Sequence, residues 1–395
     1  MKIIHLITSL QTHGAQMMLL KVLSGMDRRR FASVVVSLTE GGAMAEQFAA
    51  LGVPVYSLGL KAGLPTPAAC LRLIRLFRQV EPDLIQGWMY HGNLAATLGA
   101  MFLKLQTPVL WNIRGSSYEL RKEKPATAAV IWLGGKLSHL PRRIINNSLT
   151  SARQHEEALG YRADRRVIIA NGFDTETFAP SEPARLAVRR ELGLDDNALL
   201  IGLMARYHPM KDHANFLRAA ARLSASHPQT HFALAGEGVD DRNRELCDSI
   251  QNLSLGGRVH LLGERRDTPR LAAAFDIATL SSAFGEGFPN VIGEAMSCGV
   301  PCVATEVGDS AQVIGDTGRT VPPCEAPALA AAWRELIAMS APQRRALGAA
   351  ARRRVMENFS INAITAQYES LYENAVSLSL ETCEDKLNVR YRRVC

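Results

Sequence analysis

The chain is poor in aromatic residues, at 6%, and carries no recognition signature for DNA or RNA, so its net charge of +7 is not read as a nucleic-acid footprint. It has no run of eighteen apolar residues, which argues against a spanning helix. Its opening stretch "MKIIHLITSL" holds one lysine and lacks a small-residue cleavage site, and reads as a first strand and not as a signal peptide. The seven cysteines are odd in number and without ligand spacing. Cys298 and Cys302 stand close together, but Gly299 and Pro301 lie between them and no histidine partners follow nearby. Reduced structural thiols in a cytosolic protein are the expectation.

What is present is a long chain with an ordinary apolar share. At 395 residues it is too long for one core, and two domains are the natural division. The positive charge then leaves anionic lipid or an anionic substrate as partners. Short β-branched runs such as "KIIHLIT" (2–8), "ASVVVSL" (32–38) and "PVLWNIR" (108–114) alternate with helical patterns, up to "RVIIANG" (166–172). A polar segment with two prolines follows (173–197), holding one surface helix. A second alternating series starts at "ALLIGLMARY" (198–207) and runs through "PCVATE" (301–306), before helical patterns to about residue 378. Such alternation predicts an α/β chain of two doubly wound parallel sheets. Ligands of these sheets bind beyond the carboxyl ends of the strands, and two sheets facing across a cleft make that cleft the default site.

The loops after the strands hold the candidate chemistry. After the first strand, Gly14 stands at a strand-to-helix turn where an amide can meet a phosphate, or where only a tight turn is needed. In "ARYHPMKDH" (205–213), Arg206 and Lys211 flank a proline-bearing turn; they suit a diphosphate, or form a solvated basic loop. In "SSAFGEGFPNVIGEAMSCGVPCVAT" (281–305), Pro289 suits a helix start and Gly299 with Pro301 a stop, which places a helix over about 290–298. Its first amides can hold a phosphate. Glu286 lies ahead of that start, and Glu294 lies inside, about 6 Å along the axis. The two carboxylates can accept from sugar and ribose hydroxyls, or be plain surface acids.

Together these segments resemble the retaining glycosyltransferases of the GT-B fold in family GT4, also called group 1. The resemblance rests on "EGFPNVIGE" with "AMSCGVPCVAT", on the Arg and Lys of "ARYHPMKDH", on "IIANGFD" (168–174) and on "THGAQ" (12–16). It implies two Rossmann-like domains facing across a cleft: 1–175 for the acceptor and 176–360 for the donor. A C-terminal helix (361–380) would cross back to the first domain, and 381–395 would be a polar, frayed tail. It implies that Glu286 contacts the transferred sugar, that Glu294 binds the ribose, and that Arg206 and Lys211 hold the diphosphate. Gly14, Asn290 and Phe288 would complete the donor site, with the backbone near Glu264 and Arg265 facing the base. No Asp-x-Asp triplet occurs, so no metal and no cofactor are expected. The donor would be a UDP- or GDP-sugar ahead of an ADP-sugar.

Two departures stand out. Where many relatives carry a histidine after the fifth strand, this chain reads "WNIRGSS" with Arg114, a candidate acceptor or phosphate contact. The preceding strand end, "GWMYHGN", offers His91 near the acceptor instead. "WMYH" with "WNIR" resembles a branch from bacterial polysaccharide and lipopolysaccharide clusters, which implies a glycan or lipid-linked acceptor. Residues 67–80 and 121–143 are basic and partly apolar, and suggest a cytoplasmic enzyme resting on an anionic membrane face. The alternatives are a non-catalytic nucleotide-sugar-binding or scaffold subunit, and a nucleotide-sugar 2-epimerase.

Overall fold

The computed structural model describes residues 1–60, 66–103, 105–115, 120 and 124–391. They form two compact units, Met1–Gly172 with Ile361–Cys395, and Phe173–Ser360. The basic start of the 121–143 segment, residues 121–123, lies outside the described residues.

The strands of the first unit are β1 (Lys2–Ile7), β2 (Ala32–Thr39), β3 (Val55–Leu60), β4 (Leu84–Trp88), β5 (Val109–Ile113), β6 (Arg143–Asn146) and β7 (Arg166–Ile168). Among the described residues they pair in the order β3-β2-β1-β4-β5-β6-β7, every pairing parallel. The second unit holds β8 (Leu199–Met204), β9 (Thr230–Ala235), β10 (Val259–Leu261), β11 (Ile277–Leu280), β12 (Cys302–Thr305) and β13 (Arg319–Val321), in the order β10-β9-β8-β11-β12-β13 and again parallel. Parallel strands covered on both faces must be apolar throughout, and Ile3, Ile4, Leu6 and Ile7 of β1 are all fully buried. In each sheet the order reverses once, between β1 and β4 and between β8 and β11. These two places are where ligands of such sheets bind.

The helices between the strands of the first unit are α1 (Gly14–Gly25), α2 (Ala45–Ala50), α3 (Pro67–Val80), α4 (Met89–Phe102), α5 (Pro125–Leu137) and α6 (Leu149–Leu159). In α3 the Thr66 hydroxyl accepts from the Ala69 amide at 3.2 Å, Pro67 opens the first turn, and Ala69, Leu73, Leu76 and Phe77 form the buried stripe. The second unit adds α7 (Glu182–Glu191), α8 (His213–Ser224), α9 (Arg244–Asn252), α10 (Thr268–Ala274), α11 (Asn290–Ser297), α12 (Ser310–Ile314), α13 (Ala326–Ala338) and α14 (Ala341–Asn358).

The last helix, α15 (Ile361–Tyr391), buries Ile364, Tyr368, Tyr372 and Ala375 in the core of the first unit, against α1. It continues through positions expected to form a frayed tail, because 361–391 contain neither glycine nor proline to stop it. The strand β13 was not among the expected elements. It has only three residues, Arg-Thr-Val, at the edge of its sheet, and so carries no apolar run.

Candidate active site

In the second unit the loops after β8 and β11 lie on either side of the reversal in strand order, and they are tied to each other. The Ala283 amide donates to the Met210 carbonyl at 2.8 Å, and the Ser281 hydroxyl donates to the Lys211 carbonyl at 2.7 Å. The loop after β8 ends in a tight turn, Pro209–Lys211. Asp212 closes it in the left-handed region (φ 45°), and its carboxylate accepts from the Asn215 amide at 3.0 Å to cap α8. This geometry carries the Lys211 ammonium to 2.5 Å from Glu286 Oε1. The Ser282 hydroxyl, fully buried, donates to the same oxygen at 2.6 Å. Lys211 and Glu286 are themselves mostly buried, at 16% and 10% side-chain exposure, so the pair is shielded from bulk water and its charge interaction is strong.

The backbone around Glu286 is fixed from behind. Gly308 (φ 62°) closes the turn after β12, where an added Cβ would stand 2.6 Å from the Glu286 carbonyl oxygen. The next amide, Asp309, donates to the Gly287 carbonyl at 2.9 Å. Beyond this loop α11 begins at Asn290, after Pro289, and its first turn holds no acidic residue. Asn290 is exposed and Glu294 is half-buried one turn further in. Thus the structure brings Lys211 onto Glu286, which leads directly into the start of α11 with Glu294 one turn further in. Arg206 is exposed in the same β8 loop.

Two of the expected donor positions have side chains engaged within the unit, which leaves their backbone for a ligand. The Phe288 ring is buried, stacked on Phe173 at 5.9 Å and edge-on to Phe359 at 5.6 Å, so only its backbone is left for a ligand. The Arg265 guanidinium bonds to both oxygens of Asp267, at 2.8 and 2.7 Å, and to Glu191 at 2.6 Å. Those hydrogen bonds push the Arg265 pKa up and hold the Asp267 carboxyl below the usual carboxylate range.

In the first unit Gly14 opens α1 with free space around it. The buried Gln16 amide donates to the Ser9 carbonyl at 3.0 Å and holds the β1 loop. His91 lies in the first turn of α4, just after Met89, whose left-handed backbone (φ 61°) turns the chain out of β4. Arg114 follows β5 but faces inward. It donates to Asn171 Oδ1 at 2.6 Å, to the Ala170 carbonyl at 3.1 Å and to the Tyr368 hydroxyl at 2.8 Å. Burial lowers its pKa. Arg114 therefore fastens α15 and residues 170–171 to the sheet, and a phosphate would have to displace these partners. Among the described residues no three His, Cys, Asp or Glu side chains come together as metal ligands would.

Sequence reasoning missed Ser282. The signal was there: two buried serines directly follow the strand β11.

Residues 12–177 match the family model described as Glycosyltransferase Family 4, and residues 198–339 match the one described as Glycosyl transferases group 1. The chain belongs to the family 4, group 1 glycosyltransferases. The chain is 34% identical over 168 residues to a D-inositol 3-phosphate glycosyltransferase of Stackebrandtia nassauensis, covering 40% of this chain and 37% of that protein. It is 26% identical over 246 residues to the UDP-Gal:alpha-D-GlcNAc-diphosphoundecaprenol alpha-1,3-galactosyltransferase of Escherichia coli, covering 60% of this chain and 61% of that protein. The matched segments thus span between 37% and 61% of the length of these curated relatives. Among solved structures it is similar to HepE of Anabaena in complex with UDP (TM-score 0.80, 24% identity, 95% of this chain and 100% of that one). It is also similar to WaaG, a glycosyltransferase involved in lipopolysaccharide biosynthesis (TM-score 0.65, 15% identity, 94% and 99% coverage). The fold is GT-B.

Proposed function

We propose that the chain transfers a sugar from a nucleoside-diphosphate sugar to a hydroxyl of a glycan or lipid-linked acceptor. The observation that carries this reading is the buried Lys211–Glu286 pair at the strand-order reversal of the second unit, directly ahead of the start of α11. A diphosphate at that helix start meets orphan amides and the Lys211 ammonium, with Arg206 as a second cation. Glu286 accepts from hydroxyls of the transferred sugar, and Glu294 from the vicinal hydroxyls of the ribose. As the anomeric C–O bond to phosphate breaks, negative charge grows on the leaving oxygen. Lys211 stabilises that charge more in the transition state than in the ground state, which is what accelerates transfer.

The acceptor oxygen forms its bond to the anomeric carbon on the face that the phosphate leaves, and a phosphate oxygen takes the acceptor's proton. The configuration is retained. His91 is assigned to the acceptor. The charge on the diphosphate is carried by Lys211, Arg206 and the α11 amides, so the reaction proceeds without a metal ion. UDP is favoured as the nucleotide because the HepE structures hold UDP and UDP-glucose and the Escherichia coli relative is named for UDP-Gal. That relative and WaaG favour bacterial surface glycans as the product class.

A thermal-shift panel of UDP-, GDP- and ADP-sugars in EDTA, followed by release of the nucleoside diphosphate, tests the reading. Binding to the native state alone raises the melting temperature by mass action. A shift with UDP-sugars that survives EDTA, with slow donor turnover, is expected. A shift without turnover under any acceptor would favour a non-catalytic binding subunit.

A further inference from the structure

At the amino-terminal edge of the first sheet is a cavity of about 410 Å³, lined by Met101, Leu105, Thr107, Leu140, Arg142 and Arg165 among others. Its place follows from the chain. Arg142 and Arg165 immediately precede β6 and β7, which are neighbours in the sheet, and Thr107 stands just ahead of β5. Gly14 and His91 follow β1 and β4, at the opposite, carboxyl edge. The cavity shares no residue with the site described above.

Among the described residues no acidic side chain lines this space. The Arg142 amide donates to the Val109 carbonyl at 2.8 Å, and Arg165 closes the tight turn Ala163–Arg165, its amide donating to the Arg162 carbonyl at 3.2 Å. Two strand starts thus deliver two guanidinium groups to one cavity, where like charges raise the energy of the empty protein. Arg165 Nε is moreover buried, with no acceptor within hydrogen-bond distance among the described residues. Asp164 Oδ2 stands off at 3.8 Å, and Arg162 holds the other oxygen of that carboxylate at 2.8 Å. A buried guanidinium N–H without an acceptor is costly, and the fork of an arginine suits a phosphate.

We propose that the cavity is a second binding site, for a monosaccharide phosphate, with the phosphate between Arg142 and Arg165 and the sugar ring against Met101, Leu105 and Leu140. The remaining lining argues for the sugar. The Thr107 hydroxyl donates to the Pro82 carbonyl at 3.1 Å, which leaves its oxygen to accept from a ligand hydroxyl. Thr97 Oγ1 is already engaged both ways, accepting from Trp111 Nε1 at 2.8 Å and donating to the Asn93 carbonyl at 3.0 Å. Gln106 adds an amide at the wall, and Pro108 adds apolar surface. A sugar ring has a C–H face for the apolar atoms and a rim of hydroxyls for Thr107 and Gln106, whereas inorganic phosphate leaves the apolar lining uncovered. The volume lies in the lower part of the range of small-molecule sites, which fits a single phosphorylated sugar. The inference does not rest on the donor site and can fail without it.

The test is calorimetric titration of the full chain with glucose 1-phosphate, with inorganic phosphate and with glucose, at constant ionic strength. Glucose 1-phosphate is expected to bind about fivefold or more tighter than inorganic phosphate, and glucose not measurably. Arg142→Gln with Arg165→Gln should weaken both phosphates about tenfold or more, the loss expected of charged hydrogen bonds. Thr107→Val keeps both guanidinium groups. It should bring glucose 1-phosphate near the affinity of inorganic phosphate and leave the latter unchanged, a split that a loss of folding would not produce. Lys211→Met, altered only in the second unit, should bind glucose 1-phosphate as the wild type does. No binding of glucose 1-phosphate, equal affinity for it and for inorganic phosphate, or undiminished binding in the double arginine variant overturns the proposal. So does loss of binding in Lys211→Met, because the ligand then occupies the diphosphate site. Binding of phosphatidylglycerol vesicles through the two arginines, without binding of glucose 1-phosphate, assigns the pair to a lipid headgroup and also overturns it.

Discussion

The Lys211 ammonium lies 2.5 Å from Glu286 Oε1, across the point where β8 and β11 meet. One side chain is suited to the leaving phosphate and the other to the sugar, and each holds the other in place before a donor binds. Lys211→Met should therefore lower kcat by about 100-fold or more, the size expected when a preorganised charge partner of the transition state is lost. The KM for the donor should change much less. Steady-state kinetics of nucleoside-diphosphate release reads both constants, and an unchanged kcat would remove Lys211 from the reaction.

Ser282 touches no substrate atom in this account. Its hydroxyl fixes the orientation of the Glu286 carboxylate from inside the unit. Ser282→Ala should lower kcat by about tenfold, near the loss of one charged hydrogen bond of about 1.5 kcal/mol. Ser282→Thr should restore part of it. A merely structural role would instead lower the melting temperature without that rescue.

Gly293 lies in α11 where an added Cβ would stand 2.1 Å from the Phe173 ring, itself 1% exposed. Gly293→Ala should cost about 1–3 kcal/mol of stability through overpacking, with donor affinity of the folded fraction retained. Denaturant unfolding followed by fluorescence measures the first, and calorimetric titration of the donor the second.

The doubly wound sheets were legible because their strands are buried on both faces and written as apolar runs, as in Lys2–Ile7 and Leu199–Met204. The strand order was harder to see, and it is what brings Lys211 to Glu286, two residues 75 positions apart. Lys211 could be placed after one strand and Glu286 after another, but their contact depends on those strands being neighbours. Phe288 misled for a similar reason. The resemblance put it in the donor site, but its ring neighbours Phe173 and Phe359 are remote in sequence, and nothing local announced that they would enclose it. Arg114 stood at the right strand end, but nothing local announced that Tyr368 and Asn171 would absorb its guanidinium.

Acid should loosen the fold well before its carboxylates protonate. Burial lowers His5 to about 3 and His213 to about 4, from an ordinary value of 6.5, and lowers His155, His231 and His260 as well. Above the ordinary value these groups are neutral in both states and cost nothing. Below it the unfolded chain takes up protons that the folded chain refuses, so stability falls as pH drops from 6.5 towards 4. Each fully buried histidine should remove roughly 1.4 kcal/mol per pH unit in that window. Unfolding free energies measured at about pH 7.5 and about pH 5.5 should differ in this direction; equal values would show that the histidines titrate normally.

The central claim is that Glu294 and Lys211 belong to one nucleotide-sugar site at the start of α11. Calorimetric titration of UDP in EDTA into the wild type, Glu294→Ala and Lys211→Met tests it most directly. The account predicts binding by the wild type and affinity about tenfold or more weaker in Glu294→Ala, from lost hydrogen bonds between a carboxylate and the ribose hydroxyls. It also predicts a milder loss in Lys211→Met. Wild-type affinity in both variants, or no binding of any nucleoside diphosphate by the wild type, would contradict it.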